Sequence, residues 1–367
     1  MVQNRVRKLV SLTVTENCNL ACIYCYEGYK SPKVMTFATA IHITEQYLNS
    51  TSTAYDECEI DLFGGEPLLN FPLIKELCEY VWSRRWNKPY IFFASTNGTL
   101  VHGEIQEWFL KNRERFYLGL SLDGTPKMQD CNRSNSYSRI DVPFFQATWP
   151  DSLVKMTISQ HTLPNLAEGV IYLHSLGFQV HSNPAYGIDW TDPNNTVILS
   201  RELKKLVDYY LEHPEVKPCT LLDMKIEYQG YVEKKWCGVG IEMAVFDADG
   251  RQYPCHGFLP VSIGQEKADA SLSIDFSQIE NLVDPNCKDC ILYNICPTCY
   301  GSNYSSTGNI ASRNLEQCNF SKVRAMACSY FEAKKILADT THSSIDEKYL
   351  NLVDSIVKIQ NQITLPG

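Results

Sequence analysis

The sequence predicts an α/β protein, a partial (β/α)6 barrel that is TIM-like but open, followed by a smaller cysteine-rich module. Three observations predict it. From Leu9 to about Leu211, short β-branched or aromatic runs alternate with amphipathic stretches, as repeated βα units on a parallel sheet do. Each polar or glycine-rich motif follows the end of a strand, the rim where parallel barrels assemble their chemistry. Beyond Glu212 the texture changes to hairpin-like pieces broken by cysteines and turn residues.

The strands are expected at Leu9 to Val14, Glu59 to Phe63, Tyr90 to Ser95, Phe116 to Ser121, Val154 to Ile158 and Val180 to Pro184. Thr36 is placed to cap a helix from Phe37 to Leu48, and Pro72 suits the first turn of the next. Helices near Glu104 to Lys111, Leu166 to Leu176 and Ser200 to Glu212 complete the series. Six units are fewer than the eight that close a barrel, so the barrel is expected to be open and to admit a large substrate sideways. Ala244 to Asp247 with Asp249-Gly250 suggests a hairpin. Ser321 to Leu337 suggests a closing helix, and Asp346 to Ile363 another amphipathic one. The modules expected are residues 1–215, 216–330 and a helical segment 331–367.

A chain of 367 residues, 44% hydrophobic and 20% charged, has ordinary globular composition. Met1 to Lys8 leads straight into a strand, so no signal peptide is expected, and no apolar run is long enough for a membrane span. A net charge of -9 argues against a nonspecific nucleic-acid binder. Fifteen cysteines without a secretory leader imply a reducing compartment and metal ligands rather than disulfides. The expected address is cytoplasmic.

Cys18, Cys22 and Cys25 lie on one short loop directly after the first strand, with Tyr24 before the last of them. Three such thiolates can hold three irons of a cubane and leave the fourth open. A zinc knuckle is the alternative, although no fourth Cys or His follows on this loop. Gly64-Gly65-Glu66-Pro67 follows the second strand, and two glycines let backbone approach a ligand closely. Downstream come Cys237, then Gly250 and Cys255, then Cys287-x2-Cys290-x5-Cys296-x2-Cys299, and Cys318. Two zinc ribbons are the alternative reading of this second set.

The Cys-x3-Cys-x2-Cys loop with its aromatic residue resembles the signature of the radical S-adenosylmethionine (SAM) enzymes, and the later cysteines resemble the SPASM domain. The resemblance covers roughly residues 9 to 328. It implies a SAM-binding [4Fe-4S] cluster on Cys18, Cys22 and Cys25. It also implies two auxiliary [4Fe-4S] clusters, the first on Cys237, Cys255 and Cys299 and the second on Cys287, Cys290, Cys296 and Cys318. Relatives usually have three residues between the last two cysteines of the central run, where this chain has only Pro297 and Thr298. Cys328 is a spare candidate for the first cluster's missing ligand.

SAM contacts implied by the resemblance are Tyr24, Gly64, Gly65, Glu66, Asn97, Ser121, Asp123 and Lys155, with Arg133 as the rival of Lys155. Glu66 is expected to hold the SAM amino group, Ser121 a ribose or carboxylate, and Lys155 the carboxylate. Asp123-Gly124 is equally read as turn chemistry. Cys58, Cys78, Cys131 and Cys219 are expected in the core, and His256 is expected to be structural. No catalytic base is assignable.

Segments such as Tyr253 to Phe258 and Cys299 to Tyr304 look like those of maturases for ribosomally made, cysteine-containing peptides. The implied reaction is a thioether from a cysteine sulfur to a carbon. Carbon-carbon crosslinking, epimerisation and formylglycine formation are the alternatives. The implied partners are a cysteine-containing precursor peptide and an electron donor such as a flavodoxin or ferredoxin. Strand one begins almost at once, so leader recognition is expected from a separate protein, from the C-terminal module, or not at all. From a different class, a non-catalytic iron-sulfur or zinc scaffold would need no SAM-facing segments.

Overall fold

The computed structural model describes residues 6–150, 152–226, 235–315, 317–338 and 347–363. These pack as two compact units, one of Met1–Ser121, Arg133–Ser152 and Cys237–Gln278, the other of Leu122–Asn132, Leu153–Trp236 and Ile279–Gly367.

In the first unit, β1 (Arg7–Thr15), β2 (Glu57–Gly64), β3 (Tyr90–Thr96) and β4 (Phe116–Leu120) form a parallel sheet in the order β4-β3-β2-β1. Val10, Leu12, Val14, Ile60 and Leu62 are fully buried, and helices Phe37–Leu48 and Phe71–Trp82 pack beside them. Alternation then places Ser11, Thr13 and Thr15 on the opposite face of β1 as a polar line. Burying β-branched and apolar runs in parallel strands between helices is the usual way such a sheet is stabilised. Thr36 caps the helix Phe37–Leu48 as expected, its side chain accepting from Thr39 N at 3.1 Å.

The sheet continues past β1. The strand β7 (Met243–Phe246) pairs parallel to β1, Leu9 opposite Met243 and Leu12 opposite Phe246, and β8 (Gln252–Tyr253) returns antiparallel. The hairpin expected here is present, with Gly250 at φ +85 and Asp247 accepting from Asp249 N and Arg251 N. Its attachment to the first sheet was not expected. The apolar run Met243 to Phe246 buries itself by covering the free edge of β1.

In the second unit, β5 (Leu153–Ile158) and β6 (Gln179–Pro184) are a parallel pair. Helices Leu166–Ser175, Pro193–Glu212 and Gln317–Ala338 belong to this unit, as does Glu347–Gln362. Helix Pro193–Glu212 starts earlier than expected because Asp192 caps it, accepting from Asn194 N at 2.9 Å, with Pro193 in its first turn. No helix among the described residues is long and apolar enough to cross a membrane.

Candidate iron-sulfur and SAM site

The cysteine loop is built from the end of β1. The β1–β2 register shifts between Thr13 and Thr15, so Thr15 faces Gly64. Gly65 N then donates to Thr15 O at 3.2 Å, and Glu66 N to Asn17 O at 2.9 Å. A side chain at Gly64 would place its Cβ 2.1 Å from Thr15 O, and one at Gly65 would lie 2.6 Å from Asn17 O. Both glycines are therefore demanded by backbone-to-backbone approach between the second strand's end and the cysteine loop. Both also stay half-buried.

Cys18 and Cys22 are half-buried and Cys25 is exposed. Burial pushes the Cys18 thiol up to about 11. Lys30 Nζ donates to Cys25 Sγ at 2.8 Å and lies 3.7 Å from the Glu27 carboxylate. Among the described residues, no three His, Cys, Asp or Glu side chains close around a single-ion position. A cubane, whose irons stand at separate corners, asks its thiolates to stand wider than one ion does. Three thiols on one loop with no adjoining His are a donor set that suits it.

Glu66, 1% exposed, caps the turn Pro67–Asn70. One carboxylate oxygen accepts from Leu68 N at 3.2 Å and Thr96 Oγ1 at 2.8 Å, the other from Asn97 N at 2.8 Å. Burial pushes its carboxyl up to about 7. The carboxylate thus fastens β3 to β2, and little of it faces outward. Asn97 Nδ2 donates to Asn19 Oδ1 at 2.8 Å, while its carbonyl accepts from Thr99 N and Thr99 Oγ1, tying the β3 turn to the cysteine loop.

Arg133, 8% exposed, lies 5.4 Å from the Tyr24 ring centre, and its charge acts on Glu66. The next two residues, Ser134 (φ 54) and Asn135 (φ 50), are left-handed, which costs about 1–2 kcal/mol for a non-glycine residue. Ser134 Oγ accepts from Ala21 N at 3.0 Å in the cysteine loop. Ser134→Ala should lower stability by about 1 kcal/mol in urea unfolding, because that amide loses its acceptor.

Asp123 and Lys155, two of the expected contacts, stand as follows. Asp123 is 0% exposed, its carboxylate accepting from Thr157 N at 2.9 Å and Asn132 Nδ2 at 3.1 Å. The Asp123 side chain thus braces β5. Lys155 was expected amid apolar neighbours on a buried strand, but β5 alternates and Lys155 stands on its exposed side, opposite His181. Ser121 is half-buried, its N donating to Thr96 O at 2.9 Å.

Cys58, Cys78 and Cys219 are buried as expected, whereas Cys131 is exposed on the helix Pro126–Asn132. Cys328, 1% exposed, donates to Leu221 O at 3.4 Å, so it belongs to the core and is not a spare ligand.

His256 does more than expected. Ser11 Oγ donates to Asp61 Oδ2 at 2.8 Å and lies 2.7 Å from His256 Nε2, which is 3.3 Å from Asp61 Oδ2. With the Ser11 hydrogen given to Asp61, His256 Nε2 is the donor in this cluster. The ring also lies against Phe63 at 4.2 Å. Nothing local in the sequence joins residues 11, 61 and 256; the one available signal was a pair of polar residues on buried strands.

Of the second cysteine set, Cys237 and Cys255 lie in the first unit, where Gly240 N donates to Pro254 O at 3.1 Å. In the second unit, Cys296, Cys299 and Cys318 line one cavity of about 290 Å³ together with Tyr186 and Arg313. Burial pushes the Cys287 thiol up to about 11, and the charges of Cys318 and Cys296 push the same way. Cys318 is raised by burial and by Cys296 and Cys290. Cys318 is thus within electrostatic reach of each of the other three thiols that the sequence groups with it. Tyr186 donates to Cys299 Sγ at 3.6 Å.

Residues 6–136 match the family model described as a 4Fe-4S single cluster domain. Over 118 residues the chain is 38% identical to the uncharacterized protein MJ0907 of Methanocaldococcus jannaschii, covering 32% of this chain and 39% of that protein. It is 27% identical over 118 residues to the radical SAM cyclopropyl synthase TigE of Paramaledivibacter caminithermalis, covering 28% of this chain and 25% of that protein. The chain therefore spans less than half the length of either relative. Among solved structures, anSMEcpe with bound AdoMet and Cp18Cys peptide aligns with a TM-score of 0.67 at 18% identity, over 90% of this chain and 98% of that one. SuiB of Streptococcus suis bound to precursor peptide SuiA aligns at 0.58 and 14%, over 85% and 76%. The cysteine loop thus lies within the part of the chain that matches a 4Fe-4S single cluster domain, and the fold is similar to that of anSMEcpe and SuiB.

Proposed function

We propose that the chain is a cytoplasmic peptide maturase that removes hydrogen from a ribosomally made, cysteine-containing peptide and joins the cysteine sulfur to a carbon. The observation that carries this reading is the second cysteine set, of which Cys296, Cys299 and Cys318 line one cavity. One cluster is enough to cleave SAM, so a chain with further cluster sites is equipped for a substrate that must also be oxidised. Similarity to structures holding a Cp18Cys peptide and a precursor peptide supports a peptide as substrate.

In this reading Cys18, Cys22 and Cys25 hold the SAM-binding [4Fe-4S] cluster. Cys237, Cys255 and Cys299 hold one auxiliary cluster, and Cys287, Cys290, Cys296 and Cys318 the other. SAM with its reduced cluster supplies a 5'-deoxyadenosyl radical, the agent that takes a carbon-bound hydrogen. The chain's own residues bind and orient. Half-buried backbone at Gly64 and Gly65 receives the SAM ammonium, because the Glu66 carboxylate is turned inward and committed. Lys155 or its rival Arg133, which lies against Tyr24, receives the carboxylate, and Ser121 offers its hydroxyl to the ribose. A flavodoxin or ferredoxin supplies the electron, and neither nucleic acid nor membrane is a partner.

Forming the thioether costs the peptide one hydrogen atom, one proton and one electron as the carbon-sulfur bond closes. Anaerobic incubation with SAM, dithionite and a precursor peptide encoded beside this chain should yield deoxyadenosine. The peptide should be lighter by two hydrogen atoms, and its thiol should no longer be alkylated. A product of that mass with an alkylatable thiol would indicate carbon-carbon crosslinking or serine oxidation and sink the thioether. Unchanged mass with deuterium uptake from heavy water would indicate epimerisation.

A further inference from the structure

Arg313 stands among the four thiols assigned above to the second auxiliary cluster. Its Nη1 donates to Cys296 Sγ at 3.1 Å, and its positive charge acts on both Cys287 and Cys318 against the effect of their burial. The side chain lines the same 290 Å³ cavity as Cys296 and Cys318. Its backbone is fixed from the other side: Asp284, 5% exposed, accepts from Arg313 N at 2.8 Å through one oxygen. The other oxygen accepts from Asn286 N at 2.9 Å, at the start of the turn Pro285–Cys287. One buried carboxylate therefore holds both the guanidinium's backbone and the turn that presents Cys287.

A permanent, planar cation aimed at a ligand sulfur has a definite electrostatic consequence. Four thiolates on an iron-sulfur cube carry net negative charge, which grows by one unit on reduction, and a nearby cation stabilises the more negative state. Hydrogen bonds to ligand sulfurs act in the same direction and are among the recognised controls of cluster potential. A lysine supplies the charge without the guanidinium's rigid fork, so the two residue types separate charge from geometry.

We propose that Arg313 is the counter-charge of a cluster held by Cys287, Cys290, Cys296 and Cys318, and that it raises that cluster's reduction potential. The inference rests on the auxiliary-cluster reading made above. Full-length wild type, Arg313→Gln and Arg313→Lys are reconstituted anaerobically. Iron and sulfide are counted, and each protein is titrated potentiometrically with electron paramagnetic resonance detection. Because Asp284 binds the Arg313 backbone, its tie to residue 313 survives either replacement. Arg313→Gln should keep its iron and show one cluster whose midpoint has moved to more negative potential, so that less of it is reduced at a fixed poise. Arg313→Lys should fall between Gln and wild type. Equal midpoints in all three, or equal displacement in Gln and Lys, would overturn the counter-charge role while leaving the cluster reading intact. Wild type that takes up iron for one cluster only would overturn that reading, and the iron count alone reports it.

Discussion

Gly64→Ala is expected to empty the N-terminal cluster site and to destabilise the first unit by about 3 kcal/mol, the upper end for overpacking. The added Cβ would lie 2.1 Å from Thr15 O, a backbone carbonyl in the middle of the β1–β2 register shift, and no side chain can rotate aside to admit it. The strand end must then withdraw from the cysteine loop. With it go the bonds from Gly65 N to Thr15 O and from Glu66 N to Asn17 O, which set the loop's path just before Cys18. Gly65→Ala, whose Cβ would meet Asn17 O at 2.6 Å and Cys18 Cβ at 2.9 Å, should act in the same direction. Gly28→Ala is the control, since it lies nearby on the same loop with no atom within 4 Å of the added carbon. Iron counting after reconstitution should show Gly64→Ala short by one cluster and Gly28→Ala at the wild-type level. A fully loaded Gly64→Ala protein would show that the close approach is not needed.

What the sequence discloses about this fold is what neighbouring residues decide. Strands β1 to β6 are found where β-branched and aromatic runs predict them, and Thr36 caps its helix because a cap is a matter of three consecutive residues. The pairing of Met243–Phe246 with β1 joins residues more than two hundred positions apart, and no local pattern encodes which free edge an apolar strand will cover. Short helices such as Pro126–Asn132 and Val142–Thr148 are too brief to show a helical period, so they passed unseen.

The site divides along the same line. Cysteine spacing is local, and it pointed to the thiols of the first loop and to the four that gather in the second unit. The groups that act on those thiols were harder to see. Lys30 is five residues from Cys25, but only the turn of the loop brings its ammonium to the sulfur. Arg313 reaches Cys296 across 17 positions, and His256 meets Ser11 across 245. Lys155 is exposed where its apolar neighbours suggested burial for a related reason: which face of a strand is covered is decided by packing.

Glu66→Gln should remove a pH dependence that the wild type carries. Burial pushes the Glu66 carboxyl up from 4.5 to about 7, against the opposing pull of bonds from Asn97 N, Thr96 and Leu68 N and of the Arg133 charge. A carboxyl whose folded value lies above its unfolded one holds its proton more readily in the folded state. Its stabilising share is therefore complete below about pH 4.5 and is lost as pH rises through 7. Glutamine cannot ionise, so it escapes that loss. It brings a separate, pH-independent penalty: with its carbonyl kept toward Leu68 N and Thr96, its amide nitrogen faces the Asn97 N–H, donor against donor, at about 1–3 kcal/mol. The variant should consequently be the less stable protein near pH 5, with the gap narrowing steadily toward about pH 8. Urea unfolding of both proteins across that range measures it. A gap that stays constant or widens with pH would mean that Glu66 is charged throughout, and that its three donors and Arg133 outweigh the cost of burying it.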